Sequence, residues 1–224
     1  MNKKIFVACD VSNHKEILEL LSKIHNEISG IKIGLQYITR HSPEDIKELS
    51  KFNKPIFYDG KFFDIKNTLV ESVKSLKDLK ISYATVHLLN GLDALKAANK
   101  AAIDINVKLL GVTVLTSFGN DELEQLGFKD QVEEQVLRLI KVANEANLYG
   151  VICSPLEIKM VKKISPNMKC FTPGVRQNKN KDDQKRTMNA KQALQEGSDC
   201  LIIGRPITQG DPKKNIQEIL SSLN

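Results

Sequence analysis

Eight short apolar runs alternate with amphipathic stretches along the chain, and this alternation limits the fold more than any other feature. The runs cover residues 5–9, 31–34, 55–58, 83–87, 108–115, 149–153, 169–172 and 200–203. Most are continuously apolar, which suits parallel strands covered on both faces. Between them the spacing turns helical. In 13–28 the residues Ile17, Leu21, Ile24 and Ile28 share one face, and Asn13 with Glu16 reads as an N-terminal capping pair. In 64–79 the stripe is Ile65, Leu69, Val73 and Leu76, and in 131–146 it is Val132, Val136, Leu139, Ile140 and Ala143. Further helices are expected over 92–105, 156–164, 189–196 and 212–223. There is no Pro/Gly-rich linker. Eight strand–helix units in 224 residues predict an α/β fold, a (β/α)8 TIM barrel forming a single domain over 1–224. The rival, an open doubly wound sheet, lacks a G-x-G-x-x-G after the first run.

In such a barrel the chemistry lies where the strands end. Asp10 follows the first run and Lys32 lies in the second. Asp59 and Lys61 follow the third, His87 ends the fourth, Thr116 and Ser117 follow the fifth, and Ser154 the sixth. Asp59 and Lys61 are two residues apart, so on an extended end they point the same way. A lysine flanked by Asp59 and Asp64 is held as an ammonium, suited to donating a proton. With Lys32 it forms a possible alternating Lys–Asp–Lys–Asp array; taken alone, a D-x-K-x-x-D string is more often a solvated loop.

The last two strand ends carry Gly174 with Arg176 and Gly204 with Arg205. Barrels commonly hold phosphate there, with loop amides and a helix N-terminus. Pro206 suits a first helical position. The polar stretch 176–188 has no apolar period and reads as a surface loop or as a lid over ligand, with Gln184 a candidate contact.

The net charge of +6, from 33 basic and 27 acidic residues, invites a nucleic-acid reading. Only five of the basic residues are arginine, there is no Trp, and the lysines are scattered rather than massed. The excess therefore reads as compositional background. Cys9, Cys153, Cys170 and Cys200 form no C-x-x-C pair and have no histidine cluster beside them, so no metal site is expected. They read as small buried hydrophobes in a reducing compartment. Five apolar residues after the N-terminal lysines are too few for a signal core, and no run approaches a membrane span. The expectation is a cytoplasmic protein with no membrane partner.

The string FYDGKFFDIKNT at 57–68 resembles the D-x-K-x-x-D-I-x-N-T signature of the orotidine 5′-phosphate decarboxylases. VACD at 7–10, KIG at 32–34, TVHLLNG at 85–91, VTVLTS at 112–117, TPGVR at 172–176 and IIGRPIT at 202–208 follow in family order, so the resemblance covers almost the whole chain. It implies decarboxylation of orotidine 5′-phosphate to uridine 5′-phosphate without a cofactor. Lys61 would protonate C6, Asp59 would lie against the substrate carboxylate, and Lys32 and Asp10 would hold ribose hydroxyls. Asp64, with Ile65 and Thr68, would complete the neighbouring subunit's site in a homodimer. Thr116 or Ser117 would meet the base, and Arg176, Gln184, Gly204 and Arg205 would hold the phosphate. Gly60 stands where the family commonly has a larger apolar residue, loosening the Lys61 loop by expectation, and Lys66 stands where it often has Pro. The alternatives are a metal-dependent sugar-phosphate decarboxylase or aldolase on the same barrel, against which Asn67-Thr68 argues, and more remotely a non-catalytic nucleic-acid or nucleotide-binding barrel.

Overall fold

The computed structural model describes residues 4–11, 13–175 and 186–223. Each apolar run becomes a strand: β1 (Ile5–Ala8), β2 (Gly30–Gly34), β3 (Ile56–Phe62), β4 (Ile81–His87), β5 (Lys108–Val112), β6 (Gly150–Ile152), β7 (Lys169–Thr172) and β8 (Cys200–Ile203). Every neighbour pair is parallel, and β8 closes on β1 with Ile5 opposite Leu201, giving a closed eight-stranded barrel in sequence order. Helices between successive strands cover its outer face, so this is the expected (β/α)8 architecture.

Strand parity divides the core in two. Side chains alternate along a strand. On β1, Ile5 and Val7 face the helices and join the large outer core, while Phe6 and Ala8 join the inner cluster. That inner cluster takes Phe57 from β3, Leu110 from β5, Phe171 from β7, and Cys200 and Ile202 from β8, with Tyr83 packed against it. The aromatic rings meet mostly edge-on: Phe6 is 5.8 Å from Phe171 and 6.4 Å from Phe57. Edge-to-face contacts suit the ring quadrupoles, and the rings fill the barrel interior below its C-terminal mouth.

The helices follow the predicted stripes, with shifted ends. Helix His14–Ile24 buries Ile17, Leu20, Leu21 and Ile24. Its Asn13 cap accepts from the Lys15 N–H, so the expected pairing with Glu16 is not the bond that forms. Helix Lys66–Lys74 starts later than the periodicity suggested. Ile65 is its extended N-terminal cap and is 74% exposed, so it leaves the stripe that Leu69, Val73 and Leu76 keep. Lys66 takes the first helical position, where Pro is also well suited and where no intrahelical N–H bond is lost. Short helices at Leu35–Ile38, Pro43–Glu48 and Asn120–Gln125 went unforeseen. Pro206 takes the second position of helix Arg205–Thr208, one residue past the first helical position expected, where its missing N–H still costs no intrahelical bond. The four cysteines are free and buried. Among the described residues no helix is long and apolar enough to cross a membrane.

Candidate active site

Above the aromatic layer, the same inward parity delivers polar groups. Phe6 and Ala8 are followed by Asp10, Phe57 by Asp59 and Lys61, and Ile202 by Gly204, each two residues further along. Asp10, Asp59, Lys61 and Gly204 line a cavity of about 510 Å3 at the C-terminal mouth of the barrel, together with Lys32, Gln36, Thr116, Ser117, Arg205 and Thr208.

Strand β3 runs further than expected, and this corrects the placing of Asp59 and Lys61 after it. They belong to the strand, within an irregularity where Tyr58 pairs with Ala84 but Phe62 with Val86. Four steps on β3 face two on β4, as in a bulge, which re-aims side chains next to a site. Lys61 takes the left-handed backbone region, with φ 47°, a conformation that costs on the order of 1–3 kcal/mol for a non-glycine residue. The Lys61 N–H donates to Thr85 Oγ1 at 2.8 Å, and the Thr85 hydroxyl donates to Asp59 Oδ1 at 3.0 Å. One hydroxyl on β4 therefore ties the strained residue to its acidic neighbour. Gly60 leaves the space that the Tyr58 ring takes: a Cβ there would sit 2.7 Å from Tyr58 Cε1, and the Tyr58 and Phe62 rings stack at 5.7 Å.

The charges alternate in space. Lys32 Nζ lies 3.0 Å from Asp59 Oδ2 and 3.4 Å from Asp10 Oδ1, and Lys61 Nζ lies 2.8 Å from Asp59 Oδ2. Both oxygens of Asp59 are thus engaged, one by two ammoniums and the other by Thr85. Burial pushes the Asp59 carboxyl upward, but Lys32 and Lys61 outweigh it and hold its pKa below the ordinary value. Burial works against the Lys32 ammonium, and Asp59 and Asp10 outweigh it, raising that pKa. Gly34 is needed beside this array, since a Cβ would meet Asp10 Oδ1 at 2.7 Å and Lys32 Nζ at 3.0 Å.

Asp64, Ile65 and Thr68 are exposed and do not line this chain's cavity. Asp64 is nonetheless fixed: its N–H donates to Asn90 Oδ1 at 3.0 Å, and its carboxylate accepts from the Ile65 N–H at 2.7 Å. Arg176 and Gln184 lie outside the described residues. His87 accepts the Leu89 N–H at 3.3 Å and caps a short turn. Thr85, Gln36 and Thr208 were missed by the sequence reading. Thr85 sits at the inward parity of its apolar run, between Tyr83 and His87, and that position was the available signal. Among the described residues no group of three or more His, Cys, Asp or Glu side chains could hold a metal ion.

A closed parallel barrel with a lysine–aspartate array at its C-terminal mouth places the chain among the (β/α)8 enzymes. It belongs to the orotidine 5′-phosphate decarboxylase / HUMPS family, whose model matches residues 3–219. It is 38% identical over 221 residues to the orotidine 5′-phosphate decarboxylase of Wolbachia pipientis subsp. Culex pipiens (strain wPip), covering 98% of each chain. It is 39% identical over 228 residues to that of Legionella pneumophila (strain Lens), covering 100% of this chain and 98% of the relative. The crystal structure of orotidine 5′-phosphate decarboxylase from Lactobacillus acidophilus superposes with a TM-score of 0.86 at 33% identity, over 99% of each chain. That of an uncharacterized conserved protein from Geobacillus kaustophilus gives 0.84 at 24% identity over 98% of this chain and 100% of that one, a likeness of fold alone.

Proposed function

We propose that this protein decarboxylates orotidine 5′-phosphate to uridine 5′-phosphate and carbon dioxide, in pyrimidine biosynthesis. The observation that carries the reading is the Lys32–Asp59–Lys61 array inside the cavity of a chain from this family. Relatives named for this activity match it end to end, and nothing favours the sugar-phosphate alternative over it.

The C6–carboxylate bond breaks, carbon dioxide leaves, and the electron pair stays on C6. No ring carbonyl lies in line to absorb it, so fixed charge must stabilise it. The Lys61 ammonium faces that carbon and passes it a proton; the neutral amine then regains one from solvent. Asp59, with both oxygens engaged, cannot swing away and stands against the departing carboxylate. Lys32 and Asp10 hold the ribose hydroxyls, and Thr116 or Ser117 meets the base. Gly204 and Arg205, which line the cavity where a short helix begins, hold the phosphate. Phosphate held far from C6 positions the base by binding energy spent away from the reacting bond.

The same reading makes the protein a cytoplasmic, single-domain homodimer with no nucleic-acid or membrane partner. Asp64, Ile65 and Thr68 then reach the neighbouring site. Phe63, Ile65 and Leu89, 63%, 74% and 42% exposed, form the apolar surface around them that a second copy would cover.

Chelator-treated protein should deplete orotidine 5′-phosphate, followed by ultraviolet absorbance. Lys61→Ala should abolish turnover while keeping affinity for uridine 5′-phosphate. A metal requirement, or an active Lys61→Ala, would overturn this mechanism.

A further inference from the structure

Arg186 plays no part in the array, yet it is buried with both terminal nitrogens bonded and only its Nε without a partner. Its side chain is 13% exposed, and its Nη1 pairs with Glu157 Oε1, on a carboxylate only 6% exposed. Its Nη2 donates to two backbone carbonyls, Val114 at 3.1 Å and Leu115 at 2.9 Å. Its own carbonyl accepts from Ser154 Oγ at 3.4 Å. Glu157 is tied in turn, accepting the Ser154 N–H at 3.0 Å through its second oxygen.

These bonds join the loops that follow β5 and β6 to the residues that lead into helix Ala190–Gln195. Val114 and Leu115 line the cavity, and Thr116 and Ser117 are the next two residues of the same loop. Nη2 gathers the two carbonyls while Nη1 holds Glu157, and a planar fork is the group that can fix the direction of that backbone against the carboxylate. A buried arginine without a ligand of its own needs a reason to be retained, since burying a charge is costly unless it is paired and bonded.

We propose that Arg186 is a positioning residue for the decarboxylation: it sets the 114–117 loop so that its hydroxyls meet the pyrimidine. This rests on the orotidine 5′-phosphate reading of the cavity. Glu157 completes the device by holding the guanidinium in register with the loop.

The test compares Arg186→Met, Arg186→Lys and a Thr116→Ala/Ser117→Ala pair, using uridine 5′-phosphate and ribose 5-phosphate as probes. Arg186→Lys keeps a cation for Glu157 but lacks the fork, so it carries the test if Arg186→Met fails to fold. Loss of loop position should weaken uridine 5′-phosphate and raise KM about tenfold or more, because displacement of about an ångström costs up to a hundredfold. Ribose 5-phosphate, which has no base, should stay within about twofold, as expected when only the base contacts are disturbed. Combining Arg186→Lys with the Thr116→Ala/Ser117→Ala pair should cost less than the sum of the two. Unchanged uridine 5′-phosphate binding in the Thr116→Ala/Ser117→Ala pair overturns the base-contact reading. If that pair weakens binding but Arg186→Lys does not, or if Arg186→Lys weakens both probes equally, the role of Arg186 is overturned.

Discussion

Asp59 owes its character to three donors rather than to its position in a charged string. Two ammoniums share one oxygen and Thr85 takes the other. Its pKa is lowered in the folded chain. The stability it contributes is therefore complete above the ordinary aspartate value of about 3.9 and is lost as pH falls through the lower folded value. Lys32 behaves in the opposite sense. Its pKa is raised, so its contribution is complete below about 10.4 and is lost as pH rises through the folded value. Urea unfolding of the wild type and a Lys32→Met/Asp59→Asn variant should give a stability difference that is flat between those limits and changes only outside them. A difference that varied steeply near neutral pH would contradict the pairing. Gly34→Ala tests the same array by crowding, since the added methyl presses on Asp10 and Lys32. The KM for substrate should rise several-fold while the thermal midpoint moves little, because the displaced groups are the ends of flexible side chains.

At the scale of the element, β3 is the part of the barrel that bends its own rules for the site. In its first half Ile56 and Phe57 are buried on opposite faces, although the register with β4 already shifts between them. Its second half carries the irregular register, the left-handed Lys61 and the Gly60 gap filled by Tyr58. Thr85 on β4 is what makes that geometry sustainable. Thr85→Val keeps the shape but strips Lys61 N–H of its acceptor and Asp59 of a donor. Leaving such groups unsatisfied costs about 1–3 kcal/mol, readable in a denaturant melt. Turnover should fall at least as sharply as stability if, as proposed, Lys61 and Asp59 act on the substrate. A Thr85→Val enzyme with wild-type kcat would show that the strand holds Lys61 without this bond. The D-x-K-x-x-D string alone did not reveal the device, because Thr85 is 24 residues away from Lys61.

For the whole molecule, exposed Phe63 and Ile65 flank the exposed Asp64, and exposed Leu89 adjoins Asn90, which accepts the Asp64 N–H. If a second copy covers this surface, Ile65→Asp should yield a monomer by sedimentation and lose activity at low protein concentration, with each barrel still folded. A dimer that persists unchanged would place the subunit contact elsewhere. The sequence by itself determined the eight strands, most helices, the strand ends that bring Asp10, Asp59, Lys61 and Gly204 to one mouth, and the family. These are read from spacing along the chain, and a period of two or of 3.6 is a local property. Tertiary structure alone decided the rest. Ile65 left its helical stripe because the helix begins one residue later. Thr85 acquired its partners because β4 pairs beside β3, and Arg186 and Glu157 theirs because the folded chain brings separate loops within bonding distance, Arg186 and Val114 being 72 positions apart. Local spacing carries no record of such distances, which the pairing of strands and the packing of the loops between them set.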